Sequence, residues 1–239
     1  MRQQPSVGDA GRREEDTGQP PYSYPDYRST ELRAPEKPLI ILPKTLSDTT
    51  GPAYGRDPID KLDNDLTRQY GGEPLGERII VTGRVLDGDG RPVRNSLIEI
   101  WQANAAGRYT HHNDQHPAPL DPNFDGAGRC LTDDEGRYRF TTVKPGAYPW
   151  KNHDNAWRPA HIHLSLFGPS FRSRLITQMY FPGDPLFGQD PIFQSVRNPA
   201  ARQRMISTFD LETTEPEWAL GYRFDVVLEG RIATPMENH

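Results

Sequence analysis

The stretch ERIIVTGRVLDGDGRPVRNSLIEIW, residues 77–101, decides the fold class. Ile79-Ile80-Val81 and Val85-Leu86 are dense in β-branched and aliphatic side chains, which suit a pleated, partly buried surface. Asp87-Gly88-Asp89-Gly90 then supplies the turn chemistry, aspartate for local hydrogen bonding and glycine for positive φ. Val93 to Trp101 reads as the returning strand of a hairpin. Its end, Leu97-Ile98-Glu99-Ile100-Trp101, has too many apolar positions for a strand with one wet face, so it is expected at the centre of a sheet.

The same grammar recurs downstream. Arg129 to Thr132, the turn Asp133-Asp134-Glu135-Gly136 and Tyr138 to Val143 read as a second hairpin. Ala160 to Phe167, Leu175 to Phe181 and Tyr222 to Leu228 are further strands. Asn198-Pro199 to Met205 reads as a short helix. Upstream, Ile59, Leu62 and Leu66, behind Asp57-Pro58, have helical spacing and predict one short helix between Pro58 and Tyr70. Short strands with few helices predict an all-β fold, an antiparallel β-sandwich with long loops. Residues 1–40 are charged and then rich in proline and tyrosine, with little means of forming a core. They are expected to form an extended arm, with Tyr22, Tyr24 and Tyr27 as anchors on a partner, ahead of a single domain over 41–239.

Composition narrows the function. Proline supplies 24 of the 239 residues, which fits turns and loops better than a helical bundle. A net charge of −5 with no basic stripe argues against nucleic acid. No apolar run approaches the ~20 residues of a membrane helix. The first twenty residues lack the apolar core of a secretory signal. Cys130 is the one cysteine, so no intramolecular disulfide forms, and a reducing cytoplasm is the expected compartment. A buried structural thiol is its expected role.

Three segments carry candidate chemistry. In Trp157-Arg158-Pro159-Ala160-His161-Ile162-His163-Leu164, the histidines are two apart on a strand and share a face, the geometry for chelating one ion. Such a pair alone fits a structural role as well as a metal. Pro145-Gly146-Ala147-Tyr148-Pro149-Trp150 reads as a rigid loop presenting Tyr148 and Trp150, either toward a site or onto the core. Tyr109 follows Ala106-Gly107-Arg108 on a loop beyond the central strand, where packing on the sheet rim is the bland alternative. Without a His-Glu-x-x-His motif or paired cysteines, a zinc-protease or thiolate site is poorly supported. Two imidazoles and two phenolates together would instead make a hard, anionic donor set suited to a trivalent iron.

The run Val81-x-Gly83-x-Val85, Gly90, Val93, Ile98-Glu99-Ile100, Gly107 and Tyr109, with the tyrosine and histidine segments above, resembles the intradiol ring-cleaving dioxygenases. The resemblance runs from about Lys37 to Asn238, and residues 1–20 match nothing in it. It implies one non-haem Fe(III), held by Tyr109, Tyr148, His161 and His163, with Tyr148 and His163 axial. It also implies a small aromatic substrate, a catechol such as 3,4-dihydroxybenzoate, and O2. Tyr148 would leave the metal and take a proton as the catechol binds.

By the same resemblance Arg158 would stabilise charge on the substrate ring, an interstrand salt bridge being its bland alternative. Gln178 would support the site, and Tyr27, Trp150 and Ile192 would wall the pocket. Phe187-Gly188-Gln189-Asp190 departs from the family pattern beside Ile192. The chain most resembles an iron-bearing β subunit that assembles with a related α subunit lacking the iron ligands. Two alternatives are a homomeric enzyme acting on catechol or hydroxyquinol, and a sandwich binding module in which the four side chains merely pack.

Overall fold

The computed structural model describes residues 18–37, 40, 59–60, 63–150, 155–168 and 174–237. Two sheets face each other across one apolar seam. In the first, β1 (Arg78–Leu86) pairs antiparallel with β4 (Arg137–Val143) on one side. Its other side pairs with β10 (Leu220–Arg223) and then β11 (Val226–Val227), both parallel to it, and β9 (Thr208–Phe209) lies outside β10. The second sheet is antiparallel throughout, in the order β3 (Ala127–Leu131), β2 (Leu97–Trp101), β7 (His161–Phe167), β8 (Arg174–Tyr180). The architecture is the expected all-β sandwich, with β2 interior to its sheet. The parallel pairings arise because the chain reaches β10 and β11 only after a long excursion beyond β8.

The seam is built from Ile79, Val81, Val85 and Phe140 of the first sheet and Ile98, Ile100, Ile162, Leu164, Leu166 and Met179 of the second. Each such buried apolar side chain stabilises by about 1.5–3 kcal/mol. Strand alternation then fixes the rest. With Ile162, Leu164 and Leu166 turned inward, His161, His163 and Ser165 must point to the outer face of the second sheet.

Neither expected hairpin pairs its own strands. The turn at Asp87–Gly90 closes as read, with Asp87 Oδ1 accepting from the N–H groups of Asp89 and Arg91. The return makes only the Leu86–Pro92 bridge before Asn95, at φ 49°, swings the chain across to the second sheet. The second turn also closes, Asp133 N–H donating to the Arg137 carbonyl at 2.9 Å. Yet β3 pairs with β2 and β4 with β1, so this turn joins the two layers. The strand expected over Tyr222–Leu228 is broken at Phe224-Asp225. The Phe224 carbonyl approaches the Cα of Gly83 so closely that a Cβ there would lie 1.9 Å from it, and Asp225 Oδ1 takes the N–H of Arg84.

The helix expected over Pro58–Tyr70 is absent from residues 63–70, which form turns and bridge to β4 through Asp65 and Thr141. Leu66 is nonetheless fully buried in the core. Residues 57, 58, 61 and 62 lie outside the described residues. The short helix α3 (Pro199–Gln203) forms with Asn198 as its cap, and α1 (Thr30–Arg33) and α2 (Pro191–Ser195) add to it. In the arm, Tyr27 packs within this chain and is 5% exposed, whereas Tyr22 is 51% exposed. No described helix is long and apolar enough to cross a membrane.

Candidate metal centre

His161 and His163 open β7 on its outer face, and their cross-strand neighbours share that face. Trp101 of β2 lies opposite His163 on one side and Gln178 of β8 on the other, while Tyr180 faces His161. The Trp101 ring stacks on His163 at 4.8 Å between centroids. Tyr148 and Trp150 do not lie on a simple loop. They form β5 (Tyr148–Trp150), paired in a two-stranded ribbon with β6 (Ala156–Arg158). Tyr148 stands opposite Arg158 in that ribbon, so the phenol and the guanidinium share a face.

Two glycines let the tyrosine-bearing segments meet. Gly107 has φ +78°, and a Cβ on it would lie 2.4 Å from the Ala147 carbonyl; one on Gly146 would lie 2.4 Å from the Ala105 carbonyl. Asn104 ties the segments together, its carbonyl accepting from the N–H groups of both Gly107 and Gly146. Asp114 then fixes the Tyr109 backbone at 2.8 Å.

The result is a convergence of four donor atoms. Tyr109 Oη is 3.1 Å from His163 Nε2, the two Nε2 atoms are 3.2 Å apart, and Tyr148 Oη is 3.4 Å from His161 Nε2. Each histidine has a partner at Nδ1, the Pro159 carbonyl at 2.7 Å for His161 and the Glu237 carboxylate at 2.8 Å for His163. Those acceptors place the ring proton on Nδ1 and leave a lone pair on each Nε2. Two lone pairs 3.2 Å apart repel unless a cation or donated protons balance them. Separations of 3.1–3.4 Å are also those of neighbouring ligands around one ion with bonds of about 2.1 Å.

Electrostatics agree. Burial, then the Arg158 charge and His163, hold His161 well below the usual imidazole range, so it is a neutral donor. Burial pushes the Tyr109 phenol well above 10, with Tyr148 adding to it. Burial raises Tyr148 as well, against the pull of Arg158. Both phenols therefore ionise at neutral pH only on a strong Lewis acid. Among the described residues no cluster of three or more His, Cys, Asp or Glu side chains is placed to hold a metal.

Around the donors lies a buried polar network. Arg158 is 3% exposed, its Nε 3.2 Å from Asp190 Oδ2 in an ion pair not aligned as a hydrogen bond. Its Nη2 donates to Gln178 Oε1, and Tyr180 Oη lies 2.7 Å from that same oxygen and 2.9 Å from Asp190 Oδ2. This orientation leaves the Gln178 amide nitrogen buried with no acceptor among the described residues. The partner of Arg158 thus lies outside any strand, and the expected alternative of an interstrand salt bridge does not describe it. The Arg158 guanidinium is 5.3 Å from the Trp150 ring centroid, and Trp150 meets Tyr27 edge-on at 5.0 Å. Ile192 is buried on α2, its N–H donating to Asp190 Oδ1 at 2.9 Å, so the carboxylate paired with Arg158 also caps the helix that bears Ile192.

Glu237 and Tyr180 had no assigned role in the sequence, and Asp190 entered only as part of the segment departing from the family pattern. A cleft of about 640 Å³ lined by Thr82, Arg84, Arg129, Arg139 and Arg223 shares no residue with this cluster. Three of its arginines are engaged by Asp63, Glu215 and Asp225, and it offers no comparable donor set.

The chain belongs to the dioxygenase family, whose profile it matches over residues 49–230. Its residues 12–45 match the profile of the protocatechuate 3,4-dioxygenase beta subunit N terminus, which corrects, for residues 12–20, the expectation that residues 1–20 match nothing. It is 66% identical over 221 residues to the protocatechuate 3,4-dioxygenase beta chain of Burkholderia cepacia, covering 92% of this chain and 94% of that one. The protocatechuate 3,4-dioxygenase alpha chain of Pseudomonas putida is 31% identical over 209 residues, 82% of this chain and 97% of the relative. In fold the chain resembles hydroxyquinol 1,2-dioxygenase of Pseudomonas putida DLL-E4, with a TM-score of 0.54 at 22% identity over 79% of this chain and 68% of that one.

Proposed function

We propose that the chain is the iron-bearing subunit of an intradiol dioxygenase that cleaves protocatechuate between its two hydroxyl-bearing carbons. The product is 3-carboxy-cis,cis-muconate, which retains every atom of the substrate and gains both atoms of O2. The observation that carries this reading is the convergence of Tyr109, Tyr148, His161 and His163 on one point, in a chain 66% identical to a protocatechuate 3,4-dioxygenase beta chain.

The four side chains would hold one Fe(III), which supplies a Lewis acid that draws the catechol into its dianionic, electron-rich form. Tyr148 Oη would accept a proton from the incoming catechol, since burial favours its neutral phenol. Arg158, held by Asp190 and facing Tyr148, offers positive charge where the ring oxygens gain negative charge. Gln178 offers an unpaired N–H to an oxygen bound on the same face as His163. Trp150, Tyr27 and Ile192 exclude water from the ring.

Residues 1–40 form the arm and 41–239 the catalytic domain, a division supported by family matches that meet between residues 45 and 49. Similarity to both beta and alpha chains supports assembly with a related α subunit. A single cysteine supports the cytoplasm. Co-expression with that α subunit, followed by iron analysis, a visible spectrum and oxygen uptake with protocatechuate, tests the proposal. A reddish protein consuming one O2 per protocatechuate is expected. A fully active homo-oligomer that prefers catechol or hydroxyquinol, or a colourless protein without oxygen uptake, would contradict it.

A further inference from the structure

We infer that Glu237 is a positioning residue for His163, and that the N-terminal arm braces the C-terminal segment that carries it. The inference rests on reading Tyr109, Tyr148, His161 and His163 as an iron site. The Glu237 side chain is 3% exposed, and its Oε2 is 2.8 Å from His163 Nδ1. A carboxylate at that distance keeps the ring proton on Nδ1, aims Nε2 at Tyr109 and His161, and makes the imidazole a stronger donor. The two histidines are supported unequally. His161 leans on a neutral carbonyl two residues away, whereas His163 leans on a charge 74 residues away in sequence. With Trp101 stacked on the ring, the carboxylate fixes the in-plane rotation that stacking leaves undetermined.

The carboxylate reaches His163 because the chain end is strapped over β8. Glu237 N–H donates to the Ile176 carbonyl at 2.7 Å, and Thr177 Oγ1 donates to the Pro235 carbonyl at 2.7 Å. One arm residue closes the strap from outside. Gln19 accepts from Met236 N–H at 2.8 Å through Oε1 and donates to the Thr234 carbonyl at 3.3 Å through Nε2. The amide thus spans a strap residue on either side of Pro235, linking the arm through Glu237 to a metal ligand.

The test uses the co-expressed complex and two readouts besides turnover, the rate of iron loss to excess ferric chelator and the position of the phenolate-to-iron absorption band. Glu237→Ala is expected to lose iron about 10–100-fold faster than wild type, with a displaced band. Glu237→Gln keeps an acceptor oxygen without the charge and is expected to fall between the two. Gln19→Ala is expected to change iron loss in the same direction by a smaller factor. Wild-type iron loss and an unmoved band in Glu237→Ala, even with a lower melting temperature, would overturn the inference and leave Glu237 a packing residue. If Glu237→Ala does not assemble, the near-isosteric Glu237→Gln decides on the same criterion. Unchanged iron loss in Gln19→Ala would overturn the bracing by the arm. Failure of the iron reading itself is distinguishable, because the wild-type complex would then hold no ferric iron and show no band.

Discussion

Arg158 and Asp190 form an ion pair sealed from solvent, Nε to Oδ2 at 3.2 Å, and the aspartate also caps α2, the helix that bears Ile192. One carboxylate therefore ties the Arg158 guanidinium to the start of α2. Arg158→Ala should have two separable consequences. It should cut ring attack by about 10²–10³, the loss expected for one electrostatic stabiliser. It should also cost about 3–5 kcal/mol of stability, because it strands a buried carboxylate. Iron content should stay near normal, since Arg158 is not a ligand. The double variant Arg158→Ala/Asp190→Asn should recover much of the stability and none of the rate. Denaturant unfolding and single-turnover oxygen kinetics check both, and wild-type turnover in Arg158→Ala would remove it from the mechanism.

Colour tests the phenols. Tyr109→Phe should displace or weaken the visible band of the anaerobic protein, whereas His163→Ala should lose the iron itself. A colourless, zinc-loaded and active enzyme would contradict the iron assignment.

Gly146 tests how the tyrosines are brought together. Gly146→Ala places a Cβ 2.4 Å from the Ala105 carbonyl and 2.6 Å from Gly107 N, both backbone atoms that cannot rotate away. A cost of about 1–3 kcal/mol is expected. Iron occupancy should fall although no ligand has changed. Metal analysis and thermal melts decide; full occupancy would mean that the loops adjust independently.

How much of this was legible beforehand follows from the range of each interaction. The turns at Asp87–Gly90 and Asp133–Gly136 are local, and both form. Whether their flanking strands pair or part into different layers depends on β4 and β7, which no local signal reveals. His161 and His163 share a face because strands have period two, so that pair was readable. Tyr109 and Tyr148 gained meaning from the family resemblance, because loop tyrosines carry no periodicity. Asp190 and Glu237 act across the fold through single contacts, and nothing in their neighbours marks them. Tyr27, a candidate both for an anchor on a partner and for a pocket wall, packs on Trp150 of its own chain, a contact between distant segments that local sequence does not encode.

Cys130 gives a pH prediction with a definite sign. Burial pushes its thiol up to about 12, from an ordinary value of about 8.5. At pH 8 the native thiolate fraction is on the order of 10⁻⁴, so a thiol reagent should label Cys130 slowly in the folded protein and rapidly in denaturant. Because the folded-state value is raised, the associated stability is fully present below about pH 8.5 and is lost as pH climbs toward 12. Rapid native labelling at pH 8 would show the β3 edge to be open.

Cleavage of the bond between the two hydroxyl-bearing carbons of protocatechuate is the reaction proposed for this site. Mass analysis of the product formed by the co-expressed complex under ¹⁸O2 tests it most directly. The expected product is 3-carboxy-cis,cis-muconate carrying label from O2 in its new carboxylates, at one O2 per substrate. A semialdehyde from cleavage beside the hydroxyls, or a product whose new oxygen comes only from water, would contradict it.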